Sequence, residues 1–267
     1  MTARTLRHAT GIFADLHGAR FGPPIELGDL QLSVHPEPRI ALARRVWQDR
    51  VRTELRSVQI MTRFLTEVVG AGDPLEVYAG ALELVEDEVR HVAITARLCE
   101  ALGAPALLPD PVDLRDPPQF LAAPMAERAL TTAIRMLAIN ETISVAFIED
   151  LRVRCTDPAV RRVLDATVAD EEGHQDFGWS YVEVSLARFP ASTLRDWRHL
   201  VETTLEPHRT QAERILAEVP PAQRSLALHP EPELAALGLF SPVRQALVYQ
   251  RCFDEVLAPR LRALSLL

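Results

Sequence analysis

Between Val77 and Leu102, alternate steps of four and three pick out Val77, Ala81, Leu84, Glu88, His91, Thr95, Leu98 and Leu102. That spacing traces one line along a helix, the line that loses its water when the helix packs in a bundle. Such a seam is ordinarily apolar, yet Glu88 and His91 stand at its centre one turn apart. Burying an unpaired carboxylate forces it to find a cation or take up a proton. Whatever fold the chain adopts must bring a partner to Glu88.

Three further segments carry the same pattern. Helix one spans roughly Arg39 to Val69 and is stopped by Gly70-Ala71-Gly72; its seam is Trp47, Val51, Glu54, Val58, Met61, Leu65, Val68. Asp73-Pro74 then opens the helix that carries Glu88, and Gly103 closes it. Helix three spans roughly Met125 to Arg154, with seam Leu130, Ile134, Leu137, Glu141, Ser144, Ile148, Leu151. Thr156-Asp157-Pro158 opens helix four, whose seam is Val160, Leu164, Thr167, Glu171, His174, Gly178, Tyr181, Ser185. A helix with one seam glutamate is thus followed by one with a seam Glu-x-x-His, twice over.

Helices two and three are joined by the proline-rich passage Ala104 to Pro124. Some twenty extended residues reach about 70 Å, whereas a thirty-residue helix is about 45 Å long. The passage is long enough to cross the whole bundle, so helix three need not run antiparallel to helix two. Residues 1–38 show no helical periodicity and read as an arm, with His8, His17 and His35 at the surface. Beyond Phe189-Pro190, Ser192 to Val219 and Leu234 to Leu264 read as further helices, forming a C-terminal extension over 188–267. The expected architecture is all-α, with the bundle over 39–187 and a single domain overall.

Composition narrows the partners. The 267 residues carry a net charge of −8 with no lysine and no basic run, which argues against nucleic acid. No uninterrupted apolar run of membrane-spanning length appears, and the first residues lack a signal-peptide core. Cys99, Cys155 and Cys252 are widely spaced and form no C-x-x-C, which suits a reducing cytoplasm and excludes a zinc knuckle or a cysteine-bound iron.

Four seam carboxylates (Glu54, Glu88, Glu141, Glu171) and two seam imidazoles (His91, His174) are therefore expected at one level of the bundle. Four such charges stay ionised together only around multivalent cations, and two divalent ions balance them. Residues i and i+3 share a helix face, so each Glu-x-x-His chelates from one helix. Carboxylates with one imidazole per ion and no thiolate favour iron or manganese. Glu86, Glu149 and Glu172 fall off the seams and read as solvated, with Glu149 the alternative should the helix-three register differ.

This pattern resembles the ferritin-like di-metal carboxylate superfamily over roughly residues 39 to 187. Asp87-Glu88-Val89-Arg90-His91 and Asp170-Glu171-Glu172-Gly173-His174 look like the D-E-x-x-H pairs of its oxygen-activating members. The resemblance implies a four-helix bundle with one long crossover and two iron ions, a manganese or mixed Mn/Fe centre staying open. It implies O2 as co-substrate, and a supporting role for Asp87 and Asp170 in orienting ligand histidines. Gly173 stands where the first motif has Arg90, so any symmetry of the supporting residues is incomplete.

Within that superfamily the chain lacks the tyrosine of radical-generating reductase subunits, Thr95 standing in its place. It also lacks the cysteine-bound iron of rubrerythrin-like peroxidases and the short ending of ferritin cages. What remains is a non-haem di-iron oxygenase or oxidase acting on a small organic substrate by hydroxylation, N-oxygenation, desaturation or oxidative cleavage. The alternative is a ferroxidase or peroxide-handling protein with no organic substrate. Small or polar seam residues beyond the ligands (Thr95, Ser144, Gly178, with Tyr181) hint at a substrate cavity, and close helix packing explains them equally well. Trp197, Phe240, Tyr249 and Phe253 are candidates for a C-terminal cap. With no flavin, nicotinamide or iron–sulfur motif, electrons would come from an external donor or from the substrate; the oligomeric state, a homodimer included, stays open.

Overall fold

Proline sets most of the helix starts. It occupies the cap or the first turn of most of the long helices, where its missing N–H costs nothing and its fixed φ already suits a helix. The computed structural model describes residues 4–108, 114 and 116–267. In chain order its helices are α1 (Ile12–Phe21), α2 (Glu37–Ala71), α3 (Leu75–Ala101), α4 (Pro118–Ala122), α5 (Met125–Thr132), α6 (Glu141–Arg154), α7 (Pro158–Leu186), α8 (Leu194–Ala217), α9 (Pro232–Ala235), α10 (Pro242–Cys252) and α11 (Ala258–Ala263). A π-helical segment, Ala133–Asn140, joins α5 to α6 in one continuous rod, and a second, Phe253–Leu257, joins α10 to α11. Side-chain caps reinforce two of the starts: Asp157 accepts from the N–H groups of Ala159 and Val160, and Ser241 from that of Arg244.

Cross-helix contacts fix the directions. Arg44 near the start of α2 donates to the Leu102 carbonyl at the end of α3, so these two run antiparallel. Glu67 late in α2 meets Arg128 and Thr132 early in the α5–α6 rod, so that pair is antiparallel too. The rod is therefore parallel to α3, and the connection between them must traverse the bundle. Its described parts do so along the flank of α2. Gln48 holds the Pro105 carbonyl near one end, while Arg63 pairs with Asp116 and lies over the Phe120 ring near the other. Residues 109–113 and 115 of this passage lie outside the described residues.

The core comes in two apolar clusters. One gathers Met61, Phe64, Leu84, Ile134, Leu137 and Trp179; the other gathers Trp47, Val51, Leu98, Leu151, Val163 and Leu164. On α2, α3, the rod and α7 alike, the seam glutamate falls between the part that feeds one cluster and the part that feeds the other. A polar layer is thus sealed at both ends by hydrocarbon. Behind the rod, α8 and α10 pack against each other and against α6 and the π-helical segment.

Two expectations need correction. The arm contains a helix, α1, invisible to periodicity because it buries none of its residues: Ile12, Phe13 and Leu16 all face outward. The expected single helix over Leu234 to Leu264 is broken. Gly238 takes φ 68° where a Cβ would lie 2.7 Å from the Trp47 ring, and Ser241-Pro242 restarts the chain as α10. Two-residue strands also occur, Arg4–Thr5 pairing antiparallel with Leu107–Leu108. Among the described residues one helix, Met125–Arg154, is long and apolar enough to cross a membrane, and half of it is buried in this fold.

Candidate metal centre

Each of the four rods delivers its seam glutamate to the polar layer, and α3 and α7 add a histidine one turn further on. Glu88, His91, Glu141, Glu171 and His174 are buried, and Glu54 is nearly so. Their donor atoms form two groups. Glu54, His91 and Glu171 make one and Glu88, Glu141 and His174 the other; within each, the donor atoms lie within 4.8 Å of one another. His91 Nδ1 lies 3.4 Å from Glu171, 3.6 Å from Glu88 and 3.9 Å from Glu54. His174 Nδ1 lies 3.2 Å from Glu171 and 3.8 Å from Glu88. Glu88 and Glu171 therefore approach both imidazoles.

The opposite ring nitrogens are held by the aspartates, in a crossed arrangement. Asp170 on α7 lies 3.0 Å from Nε2 of His91 on α3, and Asp87 on α3 lies 3.2 Å from Nε2 of His174 on α7. The crossing follows from direction. In antiparallel helices the position before one motif's glutamate comes level with the other motif's histidine. Arg90 joins the two pairs, contacting Asp87 at 2.8 Å and Asp170 as well. One arginine thus serves both motifs, which explains how Gly173 can stand in the second. Arg50, one turn before Glu54, lies over the Trp47 ring and donates to the Gly238 carbonyl. Arg50 lies off the seam and was not expected near the site; Arg90 was noted only as lacking a counterpart at Gly173.

The protonation pattern shows what this layer lacks. Burial, then the charges of Glu88 and Glu171, raise the Glu54 carboxyl to about 8 despite His91 and Arg50. Burial and the same kind of crowding raise Glu88 and, more strongly, Glu141, which in its neutral form donates to Glu171. Burial works against the charged form of His174, but the Asp87 carboxylate at Nε2 and the charge of Glu171 beside Nδ1 outweigh it and raise the ring to about 9. His91 is raised in the same way, burial being overcome by Asp170 and Glu88.

Four buried polar atoms in it have no hydrogen-bond partner: His91 Nδ1, His174 Nδ1, Glu88 Oε2 and Glu171 Oε2. Buried polar atoms are rarely left so, and a metal is one of the standard reasons. With Nε2 of each ring given to an aspartate, the free Nδ1 lone pairs turn inward among the glutamates. A donor set of four carboxylates and two imidazoles fits two divalent iron or manganese ions.

The residues read as a cavity do not come together. α3 and α6 run one way and α7 the other, so Thr95 and Ser144 lie on the Trp47 side of the layer while Gly178 and Tyr181 lie on the Phe64 side. Gly178 meets the rod's backbone: a Cβ there would come 2.5 Å from the carbonyl carbon of Leu137. Its smallness serves helix packing. Thr95 gives its hydroxyl to the His91 carbonyl at 2.6 Å, and Tyr181 donates to Asp73 at 2.8 Å with its ring against Phe64 and Phe177. Ser144 is half-buried. Glu149 is taken up by Arg152 at the surface, as its off-seam position implied.

Of the residues considered for a cap, Phe240 packs on Phe147, Trp197 on Phe189, and Tyr249 between His208 and Phe253. They cover the outer side of the rod. His208 reaches Asn140, the neighbour of Glu141, at 3.1 Å.

Comparison with family models, curated proteins and solved structures found no match.

Proposed function

We propose that this chain is a ferritin-like four-helix bundle whose Glu54, Glu88, His91, Glu141, Glu171 and His174 hold two iron ions, and that it acts as an O2-dependent non-haem di-iron oxidoreductase on a small organic substrate. The observation that carries the reading is the pair of buried triads whose inward Nδ1 and carboxylate atoms have no other partner. Manganese or a mixed centre would use the same ligands. When bound, two reduced irons would supply electrons to O2 at one place.

The chain's own residues have definable tasks. Asp87 and Asp170 hold the imidazole Nε2–H groups, so each ring presents a lone pair inward. Arg90 holds both aspartates in place. Glu54, Glu88 and Glu141, all raised above the usual carboxylate range, would have to give up their protons to serve as ligands. The two apolar clusters exclude bulk water from either end. A reducing, cytoplasmic setting accords with Cys99, Cys155 and Cys252 as free buried thiols.

The close fit of Gly178 on Leu137 favours a second reading, in which the centre handles iron or peroxide with no organic substrate. Oxygen uptake by the Fe(II)-loaded protein separates the two. Uptake stimulated by an organic compound and coupled to its oxidation supports the first reading. Rapid uptake indifferent to every compound, with Fe(II) or peroxide consumed, supports the second.

A further inference from the structure

A groove of about 460 Å3 opens between α8, the link after it and α10, and none of the six candidate ligands lines it. Its floor is apolar, formed by Ala212, Leu216, Phe253 and the ring of Tyr249. Tyr249 and Ala212 also line a smaller cavity of about 50 Å3 that reaches Phe147 and His208, so the floor deepens toward α6. Phe253 begins a π-helical turn, a distortion that often marks functional positions.

Two features of this groove are unmatched. Tyr249 is 6% exposed and its hydroxyl is buried without a hydrogen-bond partner. A buried phenol is normally satisfied, so this one has a donor to offer. Around the rim stand Arg209, Arg224, Glu213 and Asp254, all exposed. Among the described residues none of the four is in an ion pair, and the one bond seen for Arg224 goes from Nε to the Val219 carbonyl. Arg209 and Glu213 line the same groove as Tyr249, so charges of both signs stand around it.

We infer that this groove binds a small zwitterion of the amino-acid class, an apolar ring or chain carrying one carboxylate and one ammonium group. The apolar part lies on Leu216 and Phe253. The carboxylate takes the Tyr249 hydroxyl and the arginines, and the ammonium takes Glu213 and Asp254. An acid alone leaves the two rim carboxylates facing it; an amine alone leaves the arginines. A purely apolar molecule satisfies neither the phenol nor the rim. The volume lies within the usual range of small-molecule sites. The inference does not rest on the metal centre.

Isothermal titration of the full chain, with and without Fe(II), tests it using L-phenylalanine and L-leucine as probes against 3-phenylpropionate and 2-phenylethylamine. At least one amino acid is expected to bind once per chain, about tenfold or more tighter than either singly charged analogue. Arg209→Gln and Glu213→Gln, both at exposed positions, are each expected to weaken binding about tenfold with metal content unchanged. Absence of binding by both amino acids up to about 10 mM overturns the inference. Equal binding of a singly charged analogue does so too, as does undiminished binding in the Arg209→Gln/Glu213→Gln double variant.

Discussion

Asp87 lies next to Glu88 in sequence but 3.2 Å from the ring of His174, on the helix across from it. It does not hold His91 of its own motif; Asp170 does that from α7. The two Glu-x-x-His motifs are therefore interlocked, each helix supplying the residue that orients the other's histidine. Asp87→Asn is expected to weaken the ion held by Glu88, Glu141 and His174, and Asp170→Asn the one held by Glu54, His91 and Glu171. The loss in each is about 10- to 100-fold in metal affinity. Stepwise titration with Fe(II) or Mn(II) checks this, with one of two binding steps weakened in each variant. Loss confined to the site containing the histidine of the mutated motif would contradict the crossing.

Arg90 bridges both aspartates, so its removal acts on both sites at once. In Arg90→Met both binding steps weaken, while Arg90→Lys retains part of the effect because its ammonium reaches only as a point charge. Two intact binding steps in Arg90→Met would show that each aspartate holds its histidine unaided.

Below the polar layer, Glu67 is fully buried and accepts from Thr132 at 2.7 Å, with Arg63 at 3.3 Å and Arg128 at 3.5 Å. Glu67→Ala leaves two largely buried guanidinium groups without this carboxylate and is expected to cost about 3 kcal/mol of stability. Denaturant unfolding measures the loss, and metal uptake of the folded fraction stays at its wild-type value.

Gly178→Ala drives a methyl group into the Leu137 backbone, where no flexible side chain can yield. Overpacking of this kind costs about 1–3 kcal/mol. A lowered melting temperature, together with weaker metal binding as α7 is pushed off the rod, is the expected result. A variant as stable as wild type would mean there is room beside the centre after all.

The metal-free protein has a distinctive pH dependence. Glu54 titrates at about 8 against an ordinary 4.5, and His174 at about 9 against 6.5. For both groups the folded value lies above the unfolded one, so the folded state holds protons the unfolded chain has released. The stability they contribute is complete below the unfolded values and lost as pH rises through about 8 to 9. Melting of the metal-free protein should therefore fall between pH 6 and pH 9, whereas bound ions displace these protons and remove the dependence. Identical slopes with and without metal would contradict the proton bookkeeping.

How much of this could be read from residues alone depended on what spacing encodes. The seams placed all six donors at one level because burial along a helix is periodic, and the rod from Met125 to Arg154 kept Glu141 inward despite its π-helical stretch. The crossover's length left parallel helices open without requiring them, and Arg63, Asp116 and Phe120 follow that course. Arg50 escaped notice, and the double role of Arg90 with it, because a long side chain can enter a site from a position off the seam. The crossed pairing of Asp87 and Asp170 depends on relative helix direction, which no single motif carries. Gly178 could not be assigned from sequence, since a small residue marks empty space and close contact alike. The break at Gly238 was hidden because the helical pattern resumes after Pro242.

The most direct test is elemental analysis of protein loaded anaerobically with Fe(II) and freed of excess metal. The account predicts two ions per chain in the wild type and at most one in His91→Ala or Glu171→Ala, with helical content retained in both. A wild-type chain that takes up no transition metal, or variants that still hold two ions, would contradict it.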